Sequence, residues 1–175
     1  MTFTSHVTEK MTFKKRYALF ILFALVAGMT NTAVNAGDRQ QIQSVLKMST
    51  PPDGIVFEIL ADEDGLEWAI PRIQHYARQL REKFPELAIA VVSHGREQFA
   101  LQTQYQNENR QVHSQVKSLL GNKVQLHVCG TYAEWKGVSP EDFPDYVDVA
   151  AEGPAQIKSY MELGYMLIVL NQPDD

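Results

Sequence analysis

The sequence predicts a three-layer α/β domain with a mostly parallel, five-stranded sheet and helices on both faces. Three observations predict it. The first is that strand patterns alternate with helix patterns from Gly54 onward, and the second is that the links between them are short. The third is the composition of one strand segment. One strand segment, LAIAVV at 87–92, is apolar at every position, which is typical of a parallel strand covered on both faces.

The segments predicted as strands are short, apolar and rich in β-branched residues. In chain order they are IVFEIL (55–60), LAIAVV (87–92), VQLHVC (124–129), YVDVA (146–150) and YMLIVL (165–170). Their alternation with helices through short links implies right-handed crossovers between parallel strands.

Between these strands, apolar residues recur at three- and four-residue steps, the periodicity of a helix buried along one side. This pattern predicts helices over 65–84, over 112–120 with a stop at Gly121, and over 153–164 with Pro154 near the start. The sequence Ser-Pro-Glu-Asp at 139–142 predicts one further helix start.

Residues 1–36 are predicted to be a cleaved secretory signal peptide. The basic residues 14–16 precede an apolar run over 17–29, and small residues lie just before Gly37. The run is shorter than the roughly 20 residues that span a membrane, so no stable membrane insertion is expected after cleavage. An uncleaved anchor is the alternative. We therefore expect a periplasmic or secreted protein.

Residues 37–53 are predicted to be a polar lead-in arm with a short helix around 42–46, and residues 54–175 a single domain. Without residues 1–36, the chain keeps 12 of its 16 basic and 20 of its 21 acidic residues, a net charge of about −8. No basic cluster remains, which argues against a nucleic-acid partner. With one cysteine, no internal disulfide forms.

Two strands are followed by residues that suit chemistry at the carboxyl edge of a parallel sheet, where ligands bind. His94 follows the strand at 87–92, either as a cap on a carbonyl or as a base or donor near a ligand. Cys129 ends the strand at 124–129. The acidic loop 62–64 lacks the spacing of a calcium loop, and no glycine-rich phosphate-binding pattern follows a strand, so neither a metal nor a cofactor is predicted.

The strand at 124–129 places Gln125, His127 and Cys129 on one face. Glu58 has a similar place in the first strand. If the two strands are neighbours, Glu58 and His127 form a pair near Cys129. A subunit interface is the alternative environment for Glu58, because a buried carboxylate needs a partner.

Cys129 has two interpretations. A free cysteine is often an inert, buried, small hydrophobic residue. At the start of a helix, however, backbone amides favour the reactive thiolate. The strand-end position favours the second interpretation, as does export to a compartment where an idle, exposed thiol is a liability.

Three segments in order resemble the DsrE/DsrF-like family: VVSHG (91–95), VCG (128–130) and KGVSPEDFPDYVDVAAEGPAQIKSYMELGYMLIVL (136–170). The resemblance covers roughly residues 54–170. It implies a DsrE-like, flavodoxin-like fold, assembly into trimers or hexamers, and a cysteine that carries sulfur as a persulfide. Sulfur-relay members work in the cytoplasm, so an exported member would meet different partners and a different redox poise.

Two functions follow as hypotheses. In the first, Cys129 is the nucleophile of a sulfur carrier, His94 or His127 stabilises its thiolate, and Glu58 supports them. Without a second cysteine, sulfur passes to a partner protein or a small thiol. In the second, the chain is a non-catalytic, oligomeric binding module whose contacts are made by the face with Glu58 and His127 and by exposed Tyr132 and Trp135, and the cysteine is incidental. A hydrolase is not predicted, since no nucleophile elbow or zinc-ligand set is present.

Overall fold

The computed structural model describes residues 36–172 and has the predicted three-layer α/β architecture. Its five strands form one sheet in the order β4-β3-β2-β1-β5, and all neighbouring pairs are parallel. The strands are β1 (Gly54–Ile59), β2 (Ala88–Ser93), β3 (Val124–Cys129), β4 (Asp148–Ala150) and β5 (Tyr165–Leu170).

The α-helices in the described range are α1 (Ala36–Lys47), α2 (Gly65–Lys83), α3 (Arg110–Gly121), α4 (Gly130–Trp135) and α5 (Gly153–Glu162). Short 3-10 helices span Arg96–Leu101, Thr103–Tyr105 and Pro140–Asp142. No helix between residues 36 and 172 combines the length and the apolar character needed to cross a membrane.

The helices cover the two faces of the sheet unequally. Helices α1 to α4 contribute Ile42, Ile73, Leu119 and Ala133 to the larger core cluster on one face. On the other face, among the described helices, α5 alone packs Ile157 and Tyr160 against β1 and β2. The connections from β1 to β4 each move toward the same edge of the sheet. Because crossovers between parallel strands are right-handed, a connection that runs back toward the other edge must pass over the opposite face of the sheet. The link from β4 to β5 is that connection.

The reversal creates a topological switch point between β3 and β4. After β3 the chain enters α4, which packs Ala133 into the larger cluster, whereas after β4 it enters α5 on the other face. The helices that follow the adjacent strands β3 and β4 therefore lie on opposite faces of the sheet. In open α/β sheets the crevice at such a point is the usual ligand-binding place. Cys129 lies at this point.

Three details differ from the sequence prediction. Helix α1 is longer than the short helix predicted in the lead-in arm, and its Ile42 and Val45 are fully buried in the core. Strand β4 is only three residues long, because the chain turns over Pro144–Val147 before entering the sheet. The helix start predicted at Ser139 is a 3-10 turn closed by Asp142. The predicted signal peptide, except Ala36, lies outside the described residues.

Candidate functional site at the end of β3

The sulfur of Cys129 lies between the first residues of two helices. Cys129 is the last residue of β3 and the cap of α4, and its Sγ accepts a hydrogen bond from the backbone N–H of Tyr132 at 3.5 Å. The N–H of Gly153, the first residue of α5, donates to the same sulfur at 3.2 Å. The residue is only 5% exposed. The sulfur is thus buried and not exposed as expected, which removes the argument from an exposed thiol, and two amide donors are directed at it.

Gly153 allows this approach because it has no side chain. A Cβ atom at this position would lie 2.6 Å from Cβ of His94 and 3.3 Å from Cβ of Cys129. Real Cβ atoms do not approach another atom as closely as the first distance, so any side chain here would push α5 away from the strand ends. The same distances show that His94 and Cys129 are neighbours that flank Gly153.

His94 is paired with Glu58. The Nε2 atom of His94 lies 2.8 Å from Oε1 of Glu58, and both side chains are largely but not completely buried. Because a carboxylate only accepts, Nε2 carries the proton in this pair, which leaves the Nδ1 lone pair free in the neutral ring. His94 is therefore the imidazole next to Cys129, oriented by a carboxylate.

The Glu58–His127 pair predicted from the sequence is not formed. Both residues do share one face of the sheet, but β2 separates β1 from β3, and Val92 lies in register between the two side chains. The prediction was wrong because strand order cannot be read from the alternation of residues within each strand.

His127 instead belongs to a separate hydrogen-bonded chain. Its Nδ1 lies 2.9 Å from Oδ2 of Asp148 on β4, and its Nε2 lies 2.7 Å from the hydroxyl of Tyr160 on α5. That hydroxyl also lies 2.8 Å from Oε1 of Gln125. Burial lowers the pKa of His127, and the nearby Asp148 carboxylate opposes that effect only in part. His127 thus joins α5 to β3 and β4 and is not in hydrogen-bond contact with Cys129.

The lowered pKa of His127 predicts a pH-dependent contribution to stability. An unfolded histidine has a pKa of about 6.5. The folded value lies below it, so the contribution is present above pH 6.5 and is lost as the pH falls through the folded value. We expect the stability difference between the wild type and His127→Gln to shrink from pH 7.5 to pH 5 in urea unfolding. The exposed His75→Gln variant is the control, and a difference that grows toward acid would contradict this assignment.

Two buried polar residues that the sequence analysis did not select lie in the 3-10 helix after β2. Glu97 accepts hydrogen bonds from the N–H of Ala61 at 2.8 Å, the hydroxyl of Ser93 at 2.7 Å and the N–H of Gly95 at 3.0 Å. Gln98 forms two hydrogen bonds with the backbone of Cys129. The segment has neither helical nor strand periodicity, and the only sequence signal was its place after a strand-end glycine.

The remaining candidates are more peripheral. Arg96 forms ion pairs with Glu63 and Asp62 of the acidic loop. Among residues 36–172, no three His, Cys, Asp or Glu side chains are grouped so as to hold a metal ion. Tyr132, predicted to be exposed, is half-buried with its ring centroid 5.5 Å from that of Phe99. Trp135 is 76% exposed, as predicted.

Comparisons with known proteins identify the fold and nothing finer. No family model matches the sequence, and no curated protein matches it. A protein of unknown function from Methanobacterium thermoautotrophicum has a similar structure, with 21% identity, a TM-score of 0.54, and coverage of 66% of this chain and 97% of its own. A conserved protein of unknown function from Bacteroides thetaiotaomicron is similar at 13% identity and a TM-score of 0.50, over 67% and 95%.

Proposed function

We propose that this chain is an exported member of the DsrE/DsrF-like family that carries sulfur on Cys129 as a persulfide. The observation that supports this most strongly is the pair of amide donors, from Gly153 and Tyr132, directed at Sγ. Preorganised donors of this kind favour negative charge on the atom they face. They therefore assist Cys129 both when it attacks and when it leaves.

The sulfur-transfer step needs no oxidant or reductant from outside. The Cys129 thiolate attacks the outer sulfur of a persulfide or polysulfide donor, R–S–SH. The new S–S bond forms as the donor's S–S bond breaks, and R–S⁻ departs with the electron pair. In delivery, an acceptor thiolate attacks the outer sulfur and the Cys129 thiolate leaves. Because Cys129 is the only cysteine, the acceptor is a partner protein or a small thiol.

His94 is the proton carrier for these steps. Glu58 holds its Nε2–H and thereby leaves Nδ1 as the basic atom of the neutral ring. As a neighbour of Cys129 across Gly153, His94 accepts the thiol proton before attack and returns a proton to the departing thiolate. In the described residues no hydrogen bond joins the ring to Sγ, so this proton transfer requires the ring to move toward the sulfur.

We expect the purified full chain to gain the mass of one sulfur atom when it is incubated with inorganic polysulfide. The gain should disappear after treatment with dithiothreitol, and Cys129→Ser should gain nothing. Wild-type protein first alkylated with iodoacetamide is the matched control, because it keeps the natural sequence and blocks only the thiol. Intact-protein mass spectrometry is the measurement.

A result in which Cys129 is alkylated but takes up no sulfur would overturn the proposal. The second candidate, an oligomeric binding module with an incidental cysteine, is favoured by large exposed apolar side chains, Trp135 at 76% and Leu163 at 66%. It predicts no sulfur gain and unchanged assembly of Cys129→Ser in light scattering. The trimer or hexamer implied by the family resemblance is assessed by the same measurement.

A further inference from the structure

Gln98 forms an unusual two-point contact with Cys129. Its side chain is fully buried. The backbone N–H of Cys129 donates to Oε1 of Gln98 at 2.8 Å, and Nε2 of Gln98 donates to the backbone carbonyl of Cys129 at 3.3 Å. A single carboxamide therefore satisfies both backbone polar groups of the candidate nucleophile. Gln98 lies 31 positions before Cys129 in the chain, so only the tertiary fold brings them together.

The contact occurs where Cys129 has no neighbouring strand residue on the β2 side. Strand β2 ends at Ser93, in register with Val128, whereas on the other side Cys129 still pairs with Ala150 of β4. A residue in a parallel strand directs its N–H and C=O toward the same neighbouring strand. At Cys129 that neighbour has turned away into the 3-10 helix. The Gln98 carboxamide, which carries the same donor and acceptor as a peptide unit, takes its place.

The backbone of Cys129 determines where Sγ points. Cys129 has extended dihedral angles, φ −87° and ψ 109°, at the junction between β3 and α4. A rotation there would carry Sγ away from the Gly153 and Tyr132 amides, which belong to helices fixed by their own packing. The two hydrogen bonds between Gln98 and this backbone resist that rotation, because breaking them would leave two buried backbone groups without partners.

We propose that Gln98 is a positioning residue for Cys129, whose carboxamide continues the β2 ladder and keeps Sγ facing the two amides. The proposal rests on the proposed function of Cys129 as a nucleophile. Gln98 does not touch the sulfur. Gln98 acts through the backbone of Cys129, which carries the sulfur.

The test is the pH profile of Cys129 alkylation by iodoacetamide in the full chain. Gln98→Met keeps the volume of the side chain but removes both hydrogen bonds, and Gln98→Ala removes the volume too. We expect the midpoint of the profile to move up by about one pH unit in Gln98→Met, which slows alkylation at neutral pH about tenfold. The rate at high pH should not fall, because the looser sulfur is no less accessible.

The matched control is Gln102→Ala. Gln102 is a buried glutamine that follows the same 3-10 helix, and it makes no hydrogen bond to Cys129 in the described residues. If Gln98 only stabilised the fold, Gln98→Met and Gln102→Ala would lower the melting temperature and share the wild-type midpoint, and that result would overturn the proposal. Should both Gln98 variants fail to fold, hydrogen exchange of the Cys129 amide in the wild type tests the contact with Gln98. A protected amide supports that contact, and an unprotected amide contradicts it.

The outcomes also separate this inference from the proposed function. Alkylation does not depend on sulfur chemistry, so a shifted midpoint with no sulfur uptake by the wild type would support the role of Gln98 and reject the carrier. Sulfur uptake by the wild type at a rate unchanged in Gln98→Met would support the carrier and reject the role of Gln98.

Discussion

Replacing Glu97 with alanine should lower the free energy of unfolding by about 3 kcal/mol, since three buried donors would lose their acceptor at once. The carboxylate of Glu97 binds the N–H of Ala61, the hydroxyl of Ser93 and the N–H of Gly95, and it is fully buried. It thereby joins the loop after β1 to the turn after β2. Urea unfolding followed by circular dichroism measures the loss.

The control for Glu97→Ala is Glu86→Ala, an exposed glutamate in the loop before β2, which should change stability by no more than about 0.5 kcal/mol. A similar small effect at Glu97 would mean that water replaces the carboxylate without cost. The isosteric Glu97→Gln should lose an amount of unfolding free energy between those of Glu97→Ala and Glu86→Ala. Its side-chain NH₂ group would face at least one of the three donors and could not accept a hydrogen bond from it.

The pH dependence of Glu97 gives an independent measurement of its burial. Burial raises the pKa of Glu97 above its ordinary value, although the hydrogen bonds from Gly95, Ser93 and Ala61 act in the opposite direction. A raised carboxyl pKa means that the contribution to stability is complete below the unfolded value, about 4.3, and is lost as the pH rises through the folded value. The stability of wild type relative to Glu97→Gln should therefore decrease from pH 4 toward neutral pH.

The elements that the sequence predicted well are those whose pattern is local. Strands β3 and β5 begin and end at the predicted residues, because each is a short run of strand-forming residues. The buried stripe of α2, including Ile73 and Leu80, follows directly from the helical period. Strand β4 is shorter than predicted because Tyr146 and Val147 belong to the turn before it and are apolar because they pack against the larger core cluster from that turn.

The candidate site was predicted only in part, because its contacts are long-range. Cys129 and His94 were selected from their places at strand ends. The partner of Glu58 depends on strand order, because β2 lies between β1 and β3 and its Val92 separates Glu58 from His127, while His94 at the end of β2 pairs with Glu58. Gln98 looks like an ordinary surface residue in the sequence. Its burial appears only when β3 is placed beside the end of β2.

Replacing Gly153 with alanine should damage the site directly. The added methyl would lie 2.6 Å from Cβ of His94, so the start of α5 must move and its N–H must withdraw from Sγ of Cys129. We expect a loss of about 2 kcal/mol in unfolding free energy from overpacking. Removing one preorganised donor should also slow sulfur uptake at least about tenfold, measured as the rate of mass gain with polysulfide.

Gly121→Ala isolates the effect of the site from that of a glycine-to-alanine change in a helix. Gly121 is the last residue of α3, and a methyl there would meet no atom within 4 Å. That variant should retain wild-type uptake and be as stable as the wild type or slightly more stable, because alanine loses less conformational entropy on folding than glycine. If Gly153→Ala lost stability but took up sulfur at the wild-type rate, the amide of Gly153 would not be needed at the sulfur. The chemistry of Cys129 would then depend on Tyr132 and His94 alone.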